Sequence, residues 1–148
     1  MLISTRGRYA LRVLADLAER QAEEPLSVKE LARQQGISEK YLESIVQILV
    51  KGNLLTSEGG KCGGCRFARP PEEITAWEVL SLTEGSLAAV GCHWEGDEAC
   101  QRMEECRPLP LWRGLNRVIR EYLTGCTVAD LARNRESSGG ASGEGLWN

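Results

Sequence analysis

Three cysteines, Cys92, Cys100 and Cys106, stand in one short acidic stretch, GCHWEGDEACQRMEECRPLP, with the spacing C-x7-C-x5-C. Thiolate sulfur is a soft ligand, so such a set suits an iron–sulfur cluster or a tetrahedral zinc ion. Gly91 and Gly96 leave the stretch pliable enough to wrap a bound group. A second pair, Cys62 and Cys65 in KCGGCR, has the C-x-x-C spacing. That spacing closes to a disulfide, supplies half a metal site, or places two small side chains in a turn. Cys126, the sixth, reads as a packed small residue.

The chain that must position these thiols has 148 residues, 42% of them hydrophobic, which fits one domain or a small domain with an appendage. No apolar run approaches the roughly 18 residues of a membrane span. The opening MLISTRGRYALRVL lacks the apolar segment and cleavage site of a signal peptide. A cytoplasmic location is therefore expected, where thiols stay reduced and serve metal or redox chemistry. The formal net charge is −3, but its distribution is uneven. Residues 1–75 carry 11 Lys and Arg against 10 Asp and Glu, whereas residues 76–148 carry 7 against 11. The first half holds the cations a phosphate backbone would need.

Hydrophobic periodicity predicts a first helix over Arg6–Arg20, with Tyr9, Ala10, Leu11, Leu14, Leu17 and Ala18 on one face. A second helix starts at Ser27, which with Glu30 forms a capping-box pattern, and stops at Gly36. A third, capped by Ser38, buries Tyr41, Leu42, Ile45, Val46, Ile48 and Leu49 and ends at Gly52. Two helices joined by the tight turn Gly36-Ile37-Ser38 read as a helix-turn-helix, whose second helix enters a DNA major groove. Leu54–Thr56 and Arg66–Ala68 then read as strands around the glycine-rich turn SEGGKCGGC, a wing. The DNA-facing set is Arg6, Arg8, Ser38, Glu39, Lys40, Tyr41, Glu43, Lys51, Lys61 and Arg66. Lysine and arginine suit phosphates or guanine, and Glu43 suits a cytosine amine.

A fourth helix follows a second capping-box pattern, Thr75 with Glu78, and is expected to bury Trp77, Leu80 and Leu82. Beyond the cysteines, Leu111–Leu123 carries a broad apolar face of Leu111, Trp112, Leu115, Val118, Ile119, Tyr122 and Leu123. An isolated helix of that length is marginal in water, and a twin in a second subunit is the simplest cover. A short helix at Thr127–Leu131 precedes a Gly/Ser-rich tail. The fold expected is mainly α: a winged helix-turn-helix DNA-binding domain with a long C-terminal dimerisation helix. Its parts are the DNA-binding domain at 1–85, a cysteine-bearing sensor loop at 86–107, the dimerisation and terminal helices at 108–134, and a disordered tail at 135–148. An enzyme is not expected, because CGGC sits in a hairpin with no suitable general base beside it.

MLISTRGRYALRVL, ELARQQGISEKYLESIVQILVKGNLL, the wing GGKCGG with ARPPEEIT, and the loop cysteines together resemble the IscR/NsrR/CymR family of bacterial winged-helix repressors, over about residues 1–134. The resemblance implies a homodimer on double-stranded promoter DNA. In cluster-bearing members it also implies an iron–sulfur centre, [2Fe–2S] or [4Fe–4S], on Cys92, Cys100 and Cys106. The expected function is a repressor whose operator affinity follows cluster state and senses redox, nitric oxide or iron–sulfur status; the alternative is a cluster-free thiol-redox or zinc-dependent regulator. Two departures concern the fourth ligand. The nitric-oxide sensors of the family use a carboxylate where this chain has Arg8, and its cluster-biogenesis members use a histidine where this chain has Leu109. His93, Glu104, Glu105, Cys126, an exogenous thiol and a partner-chain group stay open for that place.

Overall fold

Apolar residues at three-and-four spacing bury one side of a first helix, α1 (Thr5–Arg20), through Ala10, Val13, Leu14 and Leu17. This computed structural model describes residues 2–20, 25–59, 63–92 and 100–137, with residues 134–137 described as backbone only. After α1 come β1 (Leu26–Ser27), α2 (Val28–Gln35), α3 (Glu39–Lys51), β2 (Leu55–Ser57), β3 (Gly64–Phe67), α4 (Ala76–Glu84), α5 (Leu109–Thr124) and α6 (Val128–Ser137). Short 3-10 turns at Pro71–Glu73 and Met103–Glu105 precede α4 and α5. The fold is mainly α with a small antiparallel sheet, as expected.

The sheet has the order β1-β3-β2. In one ladder Leu26 pairs with Cys65 and Ser27 with Gly64; in the other Leu55, Thr56 and Ser57 pair with Phe67, Arg66 and Cys65. This corrects the reading of Ser27. Its side chain makes no capping bond to α2. A capping box is a local preference, and pairing with β3 supplies nonlocal backbone bonds instead. Thr75 does cap α4, accepting from the Glu78 N–H at 3.2 Å, but the Glu78 carboxylate pairs with Arg69 and does not reach back.

Leu14, Leu31, Leu42, Ile45, Leu49, Leu54, Leu55, Ile74 and Val79 are fully buried in one core, each worth about 1.5–3 kcal/mol of transfer free energy. Tyr41, Ile48 and Trp77 are only half-buried, and Leu82 is 37% exposed, so all four are less buried than expected. Val128, at the start of α6, also belongs to this core. Its N–H donates to the Ile74 carbonyl at 2.8 Å, the Ala76 N–H donates to the Cys126 carbonyl at 2.8 Å, and Thr75 bridges Thr127. The chain thus leaves the winged-helix unit after α4 and returns to pack α6 on α1. Thr127 and Asp130 form a reciprocal cap at that return. The Asp130 N–H donates to Thr127 Oγ1 at 3.1 Å and the Thr127 N–H to Asp130 Oδ2 at 3.0 Å. Hydrogen bonds from the Thr127 backbone and hydroxyl, then from Arg133, hold the Asp130 carboxyl down at about 2. The helix runs on through Ser137, past the expected start of the tail; the rest of that tail lies outside the described residues.

Helix α5 packs on α4 but buries none of its residues completely. Its apolar face divides in two. Trp112, Ile119 and Leu123 are half-buried, whereas Leu111, Leu115, Val118 and Tyr122 are 41–75% exposed. Those four positions form one stripe down the helix. No helix among the described residues is long and apolar enough to cross a membrane.

Candidate nucleic-acid interface and cysteine segment

The turn between α2 and α3 is built from local chemistry. Gly36 adopts φ 66°, a left-handed conformation that glycine reaches without strain, and its N–H bonds back to the Ala32 and Arg33 carbonyls. The Ser38 hydroxyl then accepts from the Tyr41 N–H at 3.2 Å and starts α3. With Leu42, Ile45, Val46 and Leu49 turned into the core, α3 presents Glu39, Lys40, Glu43, Ser44, Gln47 and Lys51 to solvent. Ser44 and Gln47 are additions to the residues expected there. Their positions four and seven after Lys40 put them on its face, a signal already present in the spacing. Gln47 has the amide that reads adenine in the major groove.

Tyr41 is tethered. Its ring meets Tyr9 edge-on, with centroids 6.2 Å apart and planes at 89°, and the Arg12 guanidinium lies 5.2 Å from the Tyr9 ring centre. Arg12 is a further cation on α1, beside the exposed Arg6 and Arg8. Arg8 donates to Thr5 Oγ1 at 3.1 Å. In the wing, Arg66 forms a two-pronged pair with Glu58, at 3.1 Å through Nε and 3.1 Å through Nη2. Lys61 and Cys62 lie outside the described residues.

Cys65, expected as half of a reactive wing pair, faces inward. It is 1% exposed, carries no disulfide, and burial pushes its thiol above the ordinary value against a smaller backbone hydrogen-bond effect. Strand alternation accounts for this: Arg66 and its partner Thr56 face solvent, so the neighbouring Cys65 turns to the opposite side of β3, the face on which buried Leu55 pairs with Phe67.

The three loop cysteines lie between α4 and α5. Cys92 and Cys100 are exposed and Cys106 half-buried, all three without a disulfide. Residues 93–99, which include His93, lie outside the described residues. Among the described residues no three metal-ligating side chains converge. The donor chemistry therefore fits a soft metal group, with three reachable thiols in one stretch, while their convergence is not part of this arrangement. Glu104 and Glu105 are exposed on the turn leading to Cys106. Cys126 stands past the other end of α5, about 24 Å away along a helix of that length, and so cannot join Cys106 within one chain. Burial, then the nearby Asp130 charge, raises its thiol. Leu109 opens α5, its N–H donating to the Cys106 carbonyl at 3.1 Å.

The Cys92 arm is tied to α5, with the Ala89 N–H donating to Asn116 Oδ1 at 2.8 Å. At the last residue of α4, where this arm begins, Glu84 accepts from the Ser4 hydroxyl at 2.7 Å and from its N–H at 3.2 Å. Burial opposes ionisation of Glu84, but these bonds, a Thr83 contact and the Arg6 charge together hold its carboxyl below the usual range.

A helix-turn-helix, a wing and a long helix bearing an exposed apolar stripe define a winged-helix transcriptional regulator. The chain belongs to the Rrf2 family, described as iron-dependent transcriptional regulators, whose profile matches residues 3–134. It is 37% identical over 134 residues to Protein rrf2 of Nitratidesulfovibrio vulgaris, covering 90% of this chain and 89% of that one. It is 35% identical over 136 residues to the HTH-type transcriptional regulator IscR of Aliivibrio salmonicida, covering 92% and 80%. Among solved structures it is similar to CymR, the global cysteine regulator of B. subtilis, with TM-score 0.71, 32% identity and coverage of 90% and 97%. The T. potens IscR structure gives TM-score 0.70, 31% identity and coverage of 97% and 94%. The protein is a DNA-binding transcriptional regulator and not an enzyme.

Proposed function

We propose that this protein is a homodimeric repressor whose operator affinity is set by an iron–sulfur cluster held on Cys92, Cys100 and Cys106. The observation that carries the reading is the placement of three disulfide-free thiols in the single segment joining the DNA-binding unit to α5. The family description and the IscR relatives support it. When bound, a cluster would supply bonds across the segment that are lost on oxidation or reaction with nitric oxide. Asn116 ties the Cys92 arm to α5, so a shift of that arm is felt where two subunits meet. The stripe Leu111, Leu115, Val118 and Tyr122 forms the subunit contact, and α3 of each subunit enters one half-site. Half-site binding depends on the separation of the two α3 helices, and a coupling of about 1–3 kcal/mol changes occupancy about 5–150-fold.

The test is anaerobic purification with iron and acid-labile sulfide measured per chain, alongside visible absorbance. The expected result is a coloured protein that loses iron and sulfide when Cys92, Cys100 and Cys106 are replaced by Ala. A variant that keeps the chromophore sinks the assignment.

A cluster-free thiol switch is the second reading, supported by the exposure of Cys92 and Cys100 and by likeness to Staphylococcus aureus CymR, one of whose structures is of an oxidized form (TM-score 0.66, 29% identity, covering 89% of this chain and 96% of that one). It requires iron-free protein whose operator affinity changes reversibly with oxidant and reductant.

A further inference from the structure

Residues 76–148 carry more acid than base, 11 against 7, yet three of the seven cations converge. Arg113, Arg117 and Arg120 are spaced four and three apart on one face of α5 and line a cleft of about 630 Å³ against the end of α4. Ser86 adds a hydroxyl to its wall, the Ser81 hydroxyl being spent on the Trp77 carbonyl at 2.7 Å, and among the described residues no carboxylate lines the cleft. The volume is that of a small-molecule site.

Among the described residues these guanidinium groups spend few of their donors. Arg120 lies 5.5 Å from the Trp77 ring centre, a cation–π contact that uses none of its N–H groups. Among the described residues Arg113 makes one polar contact, at 3.9 Å to Met103 Sδ. Arg117 stands 3.9 Å from Glu121, both about seven-tenths exposed, a pairing of little worth. One wall of the cleft, Ser86–Ala88, leads to Cys92 and is held by the Ala89–Asn116 bond.

We propose that this cleft binds a small polyanion, a molecule bearing two or more phosphate or carboxylate charges, which the arginine forks grip bidentately. The site would give the regulator a second input, separate from the thiols, that bridges the Cys92 arm and α5.

The experiment is isothermal titration of the full chain with pyrophosphate and, separately, with citrate, at matched ionic strength against chloride. Saturable binding of either anion is expected, and the pair tells a phosphate site from a carboxylate one. Arg113→Gln and Arg117→Gln should each weaken binding about tenfold, the loss of one charge-assisted contact. Melting temperature and sedimentation of the variants should match the parent. Failure of both anions to bind overturns the proposal. So does an equal weakening of operator binding in anion-free buffer, which would make the arginines DNA contacts, or loss of the dimer in the variants, which would make the cleft a subunit interface.

Discussion

Ser4 and Glu84, eighty positions apart, hold the first turn of α1 to the last residue of α4. Ser4 also caps α1: its hydroxyl accepts from the Gly7 N–H at 3.2 Å and its carbonyl from the Arg8 N–H at 3.1 Å. The same pair therefore sets the helix that carries Arg6 and Arg8 and anchors the point where the chain leaves for Cys92.

Gly7 is required by this pairing. A Cβ on Gly7 would lie 2.3 Å from Glu84 Oε1 and 3.1 Å from both Leu80 Cδ2 and Thr83 Oγ1. The Glu84 side chain can swing aside, but only by giving up Ser4. Gly7→Ala should cost about 1–2 kcal/mol, as should Glu84→Gln, and the double variant should cost much less than their sum. Urea denaturation of the four proteins checks it; strict additivity refutes the shared cause.

Stability should fall in acid. Glu84 ionises below its ordinary 4.5, and Asp130 at about 2 instead of 3.8, so both are easier to ionise folded than unfolded. Their contribution is complete above the unfolded values and disappears as pH drops from about 4.5 toward 2. Asp130→Asn should flatten the lower part of the denaturation midpoint against pH. A curve identical to the parent's would remove Asp130 from the explanation.

Cys65 should resist alkylation. In iron-free, reduced protein at pH 8, iodoacetamide should modify Cys92 and Cys100 quickly while Cys65 stays unmodified until the chain unfolds, because it is buried and its thiol holds its proton. Peptide mass mapping over time reads this out. Equal rates at Cys65 and Cys92 would restore the wing pair as a redox candidate.

The exposed face of α3 should divide by chemistry. Lys40→Ala and Lys51→Ala, if they meet phosphates, should each lower the salt dependence of operator binding by about one counterion without changing base preference. Gln47→Ala should cost about 1–3 kcal/mol at one operator position and little elsewhere. Anisotropy titrations over a salt series and a panel of altered operators decide both.

Leu115→Glu should convert dimer to monomer in sedimentation. Leu115 is 41% exposed in the single chain, so secondary structure should be retained. A variant that stays dimeric would move the subunit contact away from the α5 stripe.

Local physics was legible in the sequence, and tertiary contacts decided the rest. Gly36, Ser38 and Thr75 act through neighbours three or four residues away, so the turn, the start of α3 and the start of α4 could be read from residue type and spacing. The soft-ligand character of Cys92, Cys100 and Cys106 likewise needs no fold to state. Ser27 and Cys65 behaved differently because strand pairing is nonlocal: the β3 register took Ser27 into a ladder and turned Cys65 into the core. Val128 joined that core from beyond α5, and Glu84 found Ser4 across the domain, neither marked by any periodicity. The spacing of Arg113, Arg117 and Arg120 was visible in the chain. Only the packing of α5 on α4 turned that spacing into a cleft, because a helix face becomes a site when a second surface closes over it.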